Sequence, residues 1–191
     1  MKMIILKGLP ASGKTTFAKA EMQKNPELIR ISMDDLGLML FGGFKPGEAN
    51  LKILHAAQTN IISSAAYLKR DIIIDNTNLN PNTLAKLQIL GHNLGYQIEI
   101  KDFTDVPLGV CLERNMLRGF TVPDSVIREM HAKFLAPTKS KCVSCNKSFW
   151  LDKNHKWSIK IDSAFLSNQS LLFCSEQCLA QHQLMIKLHR L

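Results

Sequence analysis

Three features of the sequence predict an α/β fold: a four-stranded parallel sheet flanked by helices, followed by a small C-terminal zinc-binding domain. Short apolar runs alternate with helical patterns as far as Phe134, the signature of strand–helix–strand units. A glycine-rich run, Gly8 to Thr15, stands between the first apolar run and the first helical pattern. Two tight cysteine pairs occupy the last quarter of the chain. With 191 residues, 46% hydrophobic and 21% charged, the chain suits one ordinary domain plus an appendage and is too apolar for disorder. The expected division is 1–136 and 137–191.

Taken in order, the first strand is Met3 to Leu6, closed by Lys7 and Gly8. It is too short for a signal peptide or a membrane span, so a cytoplasmic location, with no membrane partner, is expected. A helix over Thr16 to Met22 follows, then a strand over Leu28 to Ser32 and a short helix over Leu36 to Leu40. From Ala49 to Leu68 the residues Leu51, Leu54, Ile61, Ile62, Ala65 and Leu68 recur at helical intervals and form one sheet-facing stripe. Ile72 to Asp75 is the continuous β-branched type of strand that is buried on both faces. Asn80 is a good cap and Pro81 a good first helical residue, and Gly91 or Gly95 can stop that helix. The fourth strand is Gln97 to Phe103. A helix over Pro107 to Leu117 ends at Gly119 and carries Cys111 as plain core; another, from Pro123 to Phe134, stops ahead of Pro137.

The run Gly8-Leu9-Pro10-Ala11-Ser12-Gly13-Lys14-Thr15 satisfies G-x-x-x-x-G-K-[ST] in the strand-to-helix setting that a phosphate-binding loop requires. Gly8 and Gly13 let the backbone curl so that N–H groups, including that of Ser12, point inward at phosphate. Lys14 neutralises the outer phosphates, and the hydroxyls of Thr15 and Thr16 open the helix, Thr15 facing magnesium. The fold is therefore read as a P-loop fold, with ATP and Mg2+ as the expected ligands. The chain has no evident guanine-reading N-K-x-D sequence and is small for a motor core, so a compact phosphotransferase fits better.

The second strand runs into Asp34 and Asp35 at the carboxyl edge of the sheet, where ligands of such folds lie. A phosphoryl acceptor needs a carboxylate for its proton, which makes Asp34 the candidate base; alternatively the pair caps the following helix. Asn76, Thr77 and Asn78 after the third strand could line the acceptor site with Asp35, or serve as turn and cap. Arg114 and Arg118 stand four apart before Gly119, spaced for one helix face. They suit a lid that stabilises the transferred phosphoryl group, or a solvated face.

Together these residues resemble the 5′-polynucleotide kinase domain of bacteriophage end-healing enzymes. The likeness runs through Gly8 to Thr16, Asn25-Pro26, Ile31 to Asp35, Ile73-Ile74, Asn76 to Pro81, Arg114-Asn115 with Arg118-Gly119, and Val122-Pro123. The resemblance implies transfer of the γ-phosphate of ATP to 5′-hydroxyl ends of DNA or RNA. It implies Asp34 as general base, Lys14 and Thr15 as phosphate and magnesium contacts, and Arg114 and Arg118 as lid arginines. Two positions depart from the phage pattern, Met33 and Gly37, both basic there. Gly37 and Asp75 to Asn78 look more like the kinase module of animal end-processing enzymes. No D-x-D-G-T run follows Pro137, so no 3′-phosphatase is expected. The rivals are a small-molecule or antibiotic kinase on the same fold, and a nucleotide-gated nucleic-acid-binding module without catalysis.

Cys142, Cys145, Cys174 and Cys178 read C-x2-C, then C-x3-C, the second pair opening a helix to Leu188. In a chain that keeps its thiols reduced, four such thiolates suit a closed tetrahedral zinc site, with His155 and His182 as alternates. The Phe-Cys-Ser-x-x-Cys run resembles treble-clef zinc modules, in which a hairpin knuckle supplies the first pair. Net charge is +8 over the chain, which suits a polyanionic partner. Eight of the basic residues follow Pro137 against three acidic ones, with Phe149, Trp150 and Trp157 nearby, so the tail can hold a nucleic-acid backbone or act as a cap or homo-oligomer contact.

Overall fold

The computed structural model describes residues 1–42, 47–118, 122–136, 138–151, 158–160 and 170–188. Gly119, Pro137, His155 and Trp157 lie outside the described residues, as do the side chains of Phe149, Trp150 and His182. The chain falls into two compact units, Met1–Phe134 and Leu135–Leu191.

The first unit runs β1 (Lys2–Lys7), α1 (Lys14–Lys24), β2 (Ile29–Ile31), α2 (Met33–Phe41), α3 (Glu48–Tyr67), β3 (Ile72–Ile74), α4 (Pro81–Asn93), β4 (Gln97–Asp102), α5 (Leu108–Met116) and α6 (Asp124–Phe134). The four strands form one sheet in the order β2-β3-β1-β4, and all pairings are parallel, with Met3 opposite Ile72 and Ile98, and Ile31 opposite Ile74. The α/β fold with a four-stranded parallel sheet flanked by helices is as the sequence predicts.

Alternation along the strands splits the core in two. Met3, Ile5, Ile31, Ile72 and Ile74 meet Ile62 and Ala65 of α3, Leu87 of α4, and Tyr96. On the other face Ile4, Leu6 and Ile73 meet Ala18 of α1 and Leu28. All three isoleucines of β3 are fully buried, and each stabilises the fold by about 1.5–3 kcal/mol. The two layers hold the carboxyl ends of β1, β2 and β3 rigidly side by side, and the site is built there.

The buried stripe of α3 differs from expectation, and of the two glycines expected to stop α4 the structure selects one. Leu54, Ile62 and Ala65 of α3 are buried, but Leu51 and Leu68 at its two ends are exposed and Gln58 is buried instead. Gly91 does not stop α4; a Cβ there would lie 2.9 Å from the Met3 sulfur, so its role is close packing on β1. The stop is Gly95, left-handed at φ 79°, where the N–H of Tyr96 returns to Gly91 O at 2.9 Å.

The second unit contains hairpin β5 (Thr138–Lys141) with β6 (Ser148–Leu151), hairpin β7 (Ser158–Lys160) with β8 (Ser170–Leu172), and α7 (Glu176–Leu188). Its core among the described residues is small: Phe173, Cys142 and Cys178, with Cys174 and Leu179 against them. No helix among the described residues is long and apolar enough to cross a membrane.

Candidate nucleotide, acceptor and metal sites

The loop after β1 is shaped by backbone rather than side chains. Ala11 and Gly13 take positive φ, 60° and 103°. A Cβ on Gly8 would lie 2.8 Å from Ser12 Oγ and 2.9 Å from Phe103 Cβ, so only glycine fits there. Gly13 precedes α1 without a side-chain cap, which leaves the first N–H groups of the helix free for an anion. Thr15 and Thr16 are exposed on that first turn. Lys14 is folded back into the loop: its Nζ donates to Leu9 O at 2.6 Å, Gly8 O at 3.0 Å and Ser12 Oγ at 3.3 Å. Burial brings its pKa down to about 8, against the pull of Asp75, Cys111 and Asp34.

At the end of β2 the cap of α2 is Ser32, whose Oγ accepts from Asp35 N at 3.2 Å. The alternative reading of the aspartate pair as the cap is thereby overturned. Asp34 and Asp35 lie within the first helical turn. Asp34 is exposed on that turn. Desolvation first, then the carboxylates of Asp35 and Asp75, push its pKa up to about 6 in spite of Lys14 and Arg118.

The loop after β3 knits the site together. Asn76 Oδ1 accepts from Met33 N at 2.9 Å, and its amide donates to Gln58 Oε1 at 3.4 Å. Thr77 O accepts from Gly8 N at 2.9 Å. Asn78, buried with φ 45°, donates to Leu6 O at 2.7 Å. These bonds fasten the phosphate loop and α2 to β3, and Asn80 caps α4 by accepting from Asn82 N at 3.0 Å.

Sequence reasoning missed Arg30 and Gln58. The Arg30 guanidinium donates to Asp75 Oδ2 from Nε at 2.8 Å and from Nη2 at 2.7 Å, and from Nη1 to Asp35. Burial works against its charge and the two carboxylates outweigh it, so its pKa stands above the ordinary guanidinium value.

Helix α5 ends at Met116, so Arg114 and Arg118 do not share a helix face as their spacing suggested. Arg114 is exposed on the helix, whereas Arg118 is half-buried beyond its end. Asn115, 1% exposed, organises this corner. Its Oδ1 accepts from Arg118 Nε at 3.0 Å, Arg118 Nη2 at 2.7 Å and Val122 N at 3.1 Å, while its amide donates to Val122 O at 2.7 Å. Burial lowers the Arg118 pKa and the Asp34 charge opposes that. The structure thus brings Lys14, Asp34 and Arg118 within electrostatic reach of one another, while the charge of Arg114 acts, with that of Lys14, on Cys111.

In the second unit the four thiols of Cys142, Cys145, Cys174 and Cys178 lie within 4.8 Å of one another. None is in a disulfide. The Sγ separations of 3.6 Å, from Cys174 to Cys145 and to Cys178, approach the ~3.8 Å edge of a tetrahedron with Zn–S bonds of about 2.3 Å. The first pair lies on a tight turn, where Asn146 at φ 59° donates N–H to Cys142 O at 2.9 Å. The second pair opens α7, with Cys178 N donating to Ser175 Oγ at 3.3 Å. Desolvation resists ionisation of Cys142, but the backbone N–H groups of Cys145, Cys174 and Ser144 bring its pKa down to about 6. Hydrogen bonding with Cys145 and Cys178 pushes Cys174 up to about 12. Four thiolates this close require a cation to coexist, and a tetrahedral zinc ion fits the donor set.

The sheet order, the phosphate loop and the opposed lysine and aspartate define a P-loop α/β domain of the kinase type. The chain belongs to the AAA-domain family AAA_33, whose family profile matches residues 3–137. It is 31% identical over 137 residues to the L-seryl-tRNA(Sec) kinase of Methanococcus maripaludis, covering 71% of this chain and 53% of that protein. Over 149 residues it is 26% identical to the heterogeneous nuclear ribonucleoprotein U-like protein 2 of Homo sapiens, covering 72% and 20%. The chain therefore spans about half or less of these relatives. Among solved structures it is similar to a chain of the Pnkp1/Rnl/Hen1 RNA repair complex, with TM-score 0.60 and 21% identity over 84% of this chain and 52% of that one. It is also similar to a gluconokinase from Sinorhizobium meliloti, with TM-score 0.50 and 16% identity over 70% and 74%. These structural likenesses concern the fold.

Proposed function

We propose that the chain transfers the γ-phosphate of ATP to a 5′-hydroxyl end of DNA or RNA. The observation that carries this reading is Asp34, a carboxylate with its pKa raised to about 6, facing the phosphate-loop lysine across the carboxyl edge of the sheet. Asp34 accepts the proton of the acceptor hydroxyl. Lys14 leaves its loop carbonyls for the outer phosphates, and Arg118 balances charge on the transferred group. Gly8, Ser12, Gly13 and Thr16 cradle the phosphates, and Arg114 approaches from the lid. Magnesium, held by Thr15, neutralises phosphate charge when bound. Asp35, Asn76, Thr77 and Asn78 shape the acceptor side, the last three chiefly by fastening its backbone. Residues 1–136 form the kinase domain, and 137–191 a zinc-binding domain held by Cys142, Cys145, Cys174 and Cys178.

A nucleic-acid acceptor is supported by the net charge of +8 and by the likeness to a kinase of seryl-tRNA and to a chain of an RNA repair complex. A second reading, a hydroxyl carried on RNA away from its 5′ end, is favoured by the 31% identity to the seryl-tRNA kinase. A substrate panel separates them: 5′-hydroxyl DNA, 5′-hydroxyl RNA, seryl-tRNA and gluconate, each with γ-labelled ATP. The proposal expects label on 5′-hydroxyl oligonucleotides and none on their 5′-phosphorylated forms. Label confined to seryl-tRNA or gluconate would replace it.

A further inference from the structure

Three carboxylates, Asp34, Asp35 and Asp75, crowd the carboxyl edge of β2 and β3. Asp75 is the most enclosed, its side chain 2% exposed, and a charge so buried needs a partner. Lys14 is one candidate, because Asp75 is the strongest electrostatic attraction acting on it. Lysine captured by Asp75 would be lost to phosphate. The structure gives Asp75 a different partner. Arg30 and Ile31 neighbour Ile73 and Ile74 in register, and from there the Arg30 side chain, 15% exposed, reaches past the end of β3. Two of its nitrogens engage one oxygen of Asp75, and the third engages Asp35 in the first turn of α2. A planar guanidinium presents five donors in a rigid fork and so holds both carboxylates in one fixed geometry, whereas an ammonium is a compact charge with three rotatable donors. Asp34, one residue from Asp35 on the same helix, is left out of the clamp.

We propose that Arg30 is a positioning residue that sorts these carboxylates: it holds Asp35 and Asp75 as its own partners, so that Asp34 meets the acceptor and Lys14 meets phosphate. This rests on the reading of Asp34 as the proton acceptor. The charges facing Asp34 are Lys14 from the phosphate loop, Arg118 from beyond α5, Asp75 from the end of β3 and Asp35 on its own helix. Arg30 compensates both negative members of that set. The same clamp ties β2, β3 and α2 into one body, fixing the start of the helix that carries Asp34.

The test uses the full chain as Arg30→Gln, Arg30→Lys and the double variant Arg30→Gln/Asp75→Asn. The first readout is the carboxyl 13C titration of Asp34, which requires no knowledge of the acceptor. Unpaired carboxylates should raise the Asp34 midpoint in Arg30→Gln by on the order of one pH unit, as a charge a few ångströms away does in a partly hydrated cleft. The double variant, which removes the orphaned buried charge, should return most of the way. Arg30→Lys should fall between. The second readout is the pH dependence of kcat/KM for 5′-end phosphorylation, whose acid limb should move with the titration. An unmoved midpoint in Arg30→Gln overturns the proposal. So does an activity loss expressed in acceptor KM at an unshifted pH profile and not rescued by Asp75→Asn, which would make Arg30 a direct substrate contact. If Arg30→Gln does not fold, Arg30→Lys and the double variant, which leaves no unpaired buried carboxylate, decide the matter. Absence of end phosphorylation in the wild-type chain would defeat the proposed function while the titration still judged Arg30.

Discussion

The two perturbed groups at the phosphate edge make the rate a function of pH that can be written down before it is measured. Asp34 must be ionised to accept a proton, and its pKa stands at about 6. Lys14 must be charged to meet phosphate, and in the ligand-free protein its pKa stands at about 8. The profile of kcat/KM, which reports the free enzyme, should therefore be a bell. At about pH 5 roughly one Asp34 in ten is ionised, and at about pH 9 roughly one Lys14 in ten is charged, so each wing falls about tenfold per unit. The kcat profile should differ. Bound phosphates place negative charge beside Lys14 and raise its pKa, so the alkaline limb moves up while the acid limb stays. The assay is initial-rate phosphoryl transfer at fixed ionic strength, with ATP varied at each pH. An acid limb near the ordinary carboxylate value of about 4, or an alkaline limb equally placed in kcat and kcat/KM, would refute the electrostatic assignment.

Replacing Asn115 by Ala leaves both polar groups of Val122 and the guanidinium of Arg118 without their partner. At about 1–3 kcal/mol for each buried group left unpaired, the melting temperature should drop by several degrees and kcat should fall with it; an unchanged Tm would show that water replaces the amide. Elemental analysis should find about one zinc per chain, and chelation should abolish amide protection in 135–191 while 1–134, which has its own two-sided core, stays folded. A zinc-free chain that keeps its protection there would remove the metal from the fold.

How far the fold could be read in advance depended on the range of the interactions involved. The strand Ile72 to Ile74 was legible because three β-branched residues in a row suit only burial on both faces, and the phosphate loop because its chemistry is local in sequence. The ends of α3 were misjudged because helical spacing assigns Leu51 and Leu68 to the stripe, although both are exposed at the two ends of the helix. Arg30 was invisible for a different reason. Its partner Asp75 is 45 residues away, and a single arginine in a short strand carries no spacing signal; the one clue was a buried aspartate at a strand end, which demands a cation from somewhere. Helix α5 ends within a residue of its expected limit; what no helical periodicity announces is that Asn115 turns inward to hold Val122. Strands β7 and β8, three residues each, are too short to show the alternation that marks a strand.

The central claim is that Asp34 takes the proton of a strand-terminal hydroxyl while the glycine loop presents ATP. Its most direct measurement pairs Asp34→Asn with the wild-type chain, following nucleotide affinity by calorimetry and label transfer to a 5′-hydroxyl oligonucleotide in the same preparations. The account predicts ATP affinity within a few-fold of wild type and transfer reduced by about two to four orders of magnitude, the usual worth of a positioned proton acceptor. Undiminished transfer by the asparagine variant would contradict it.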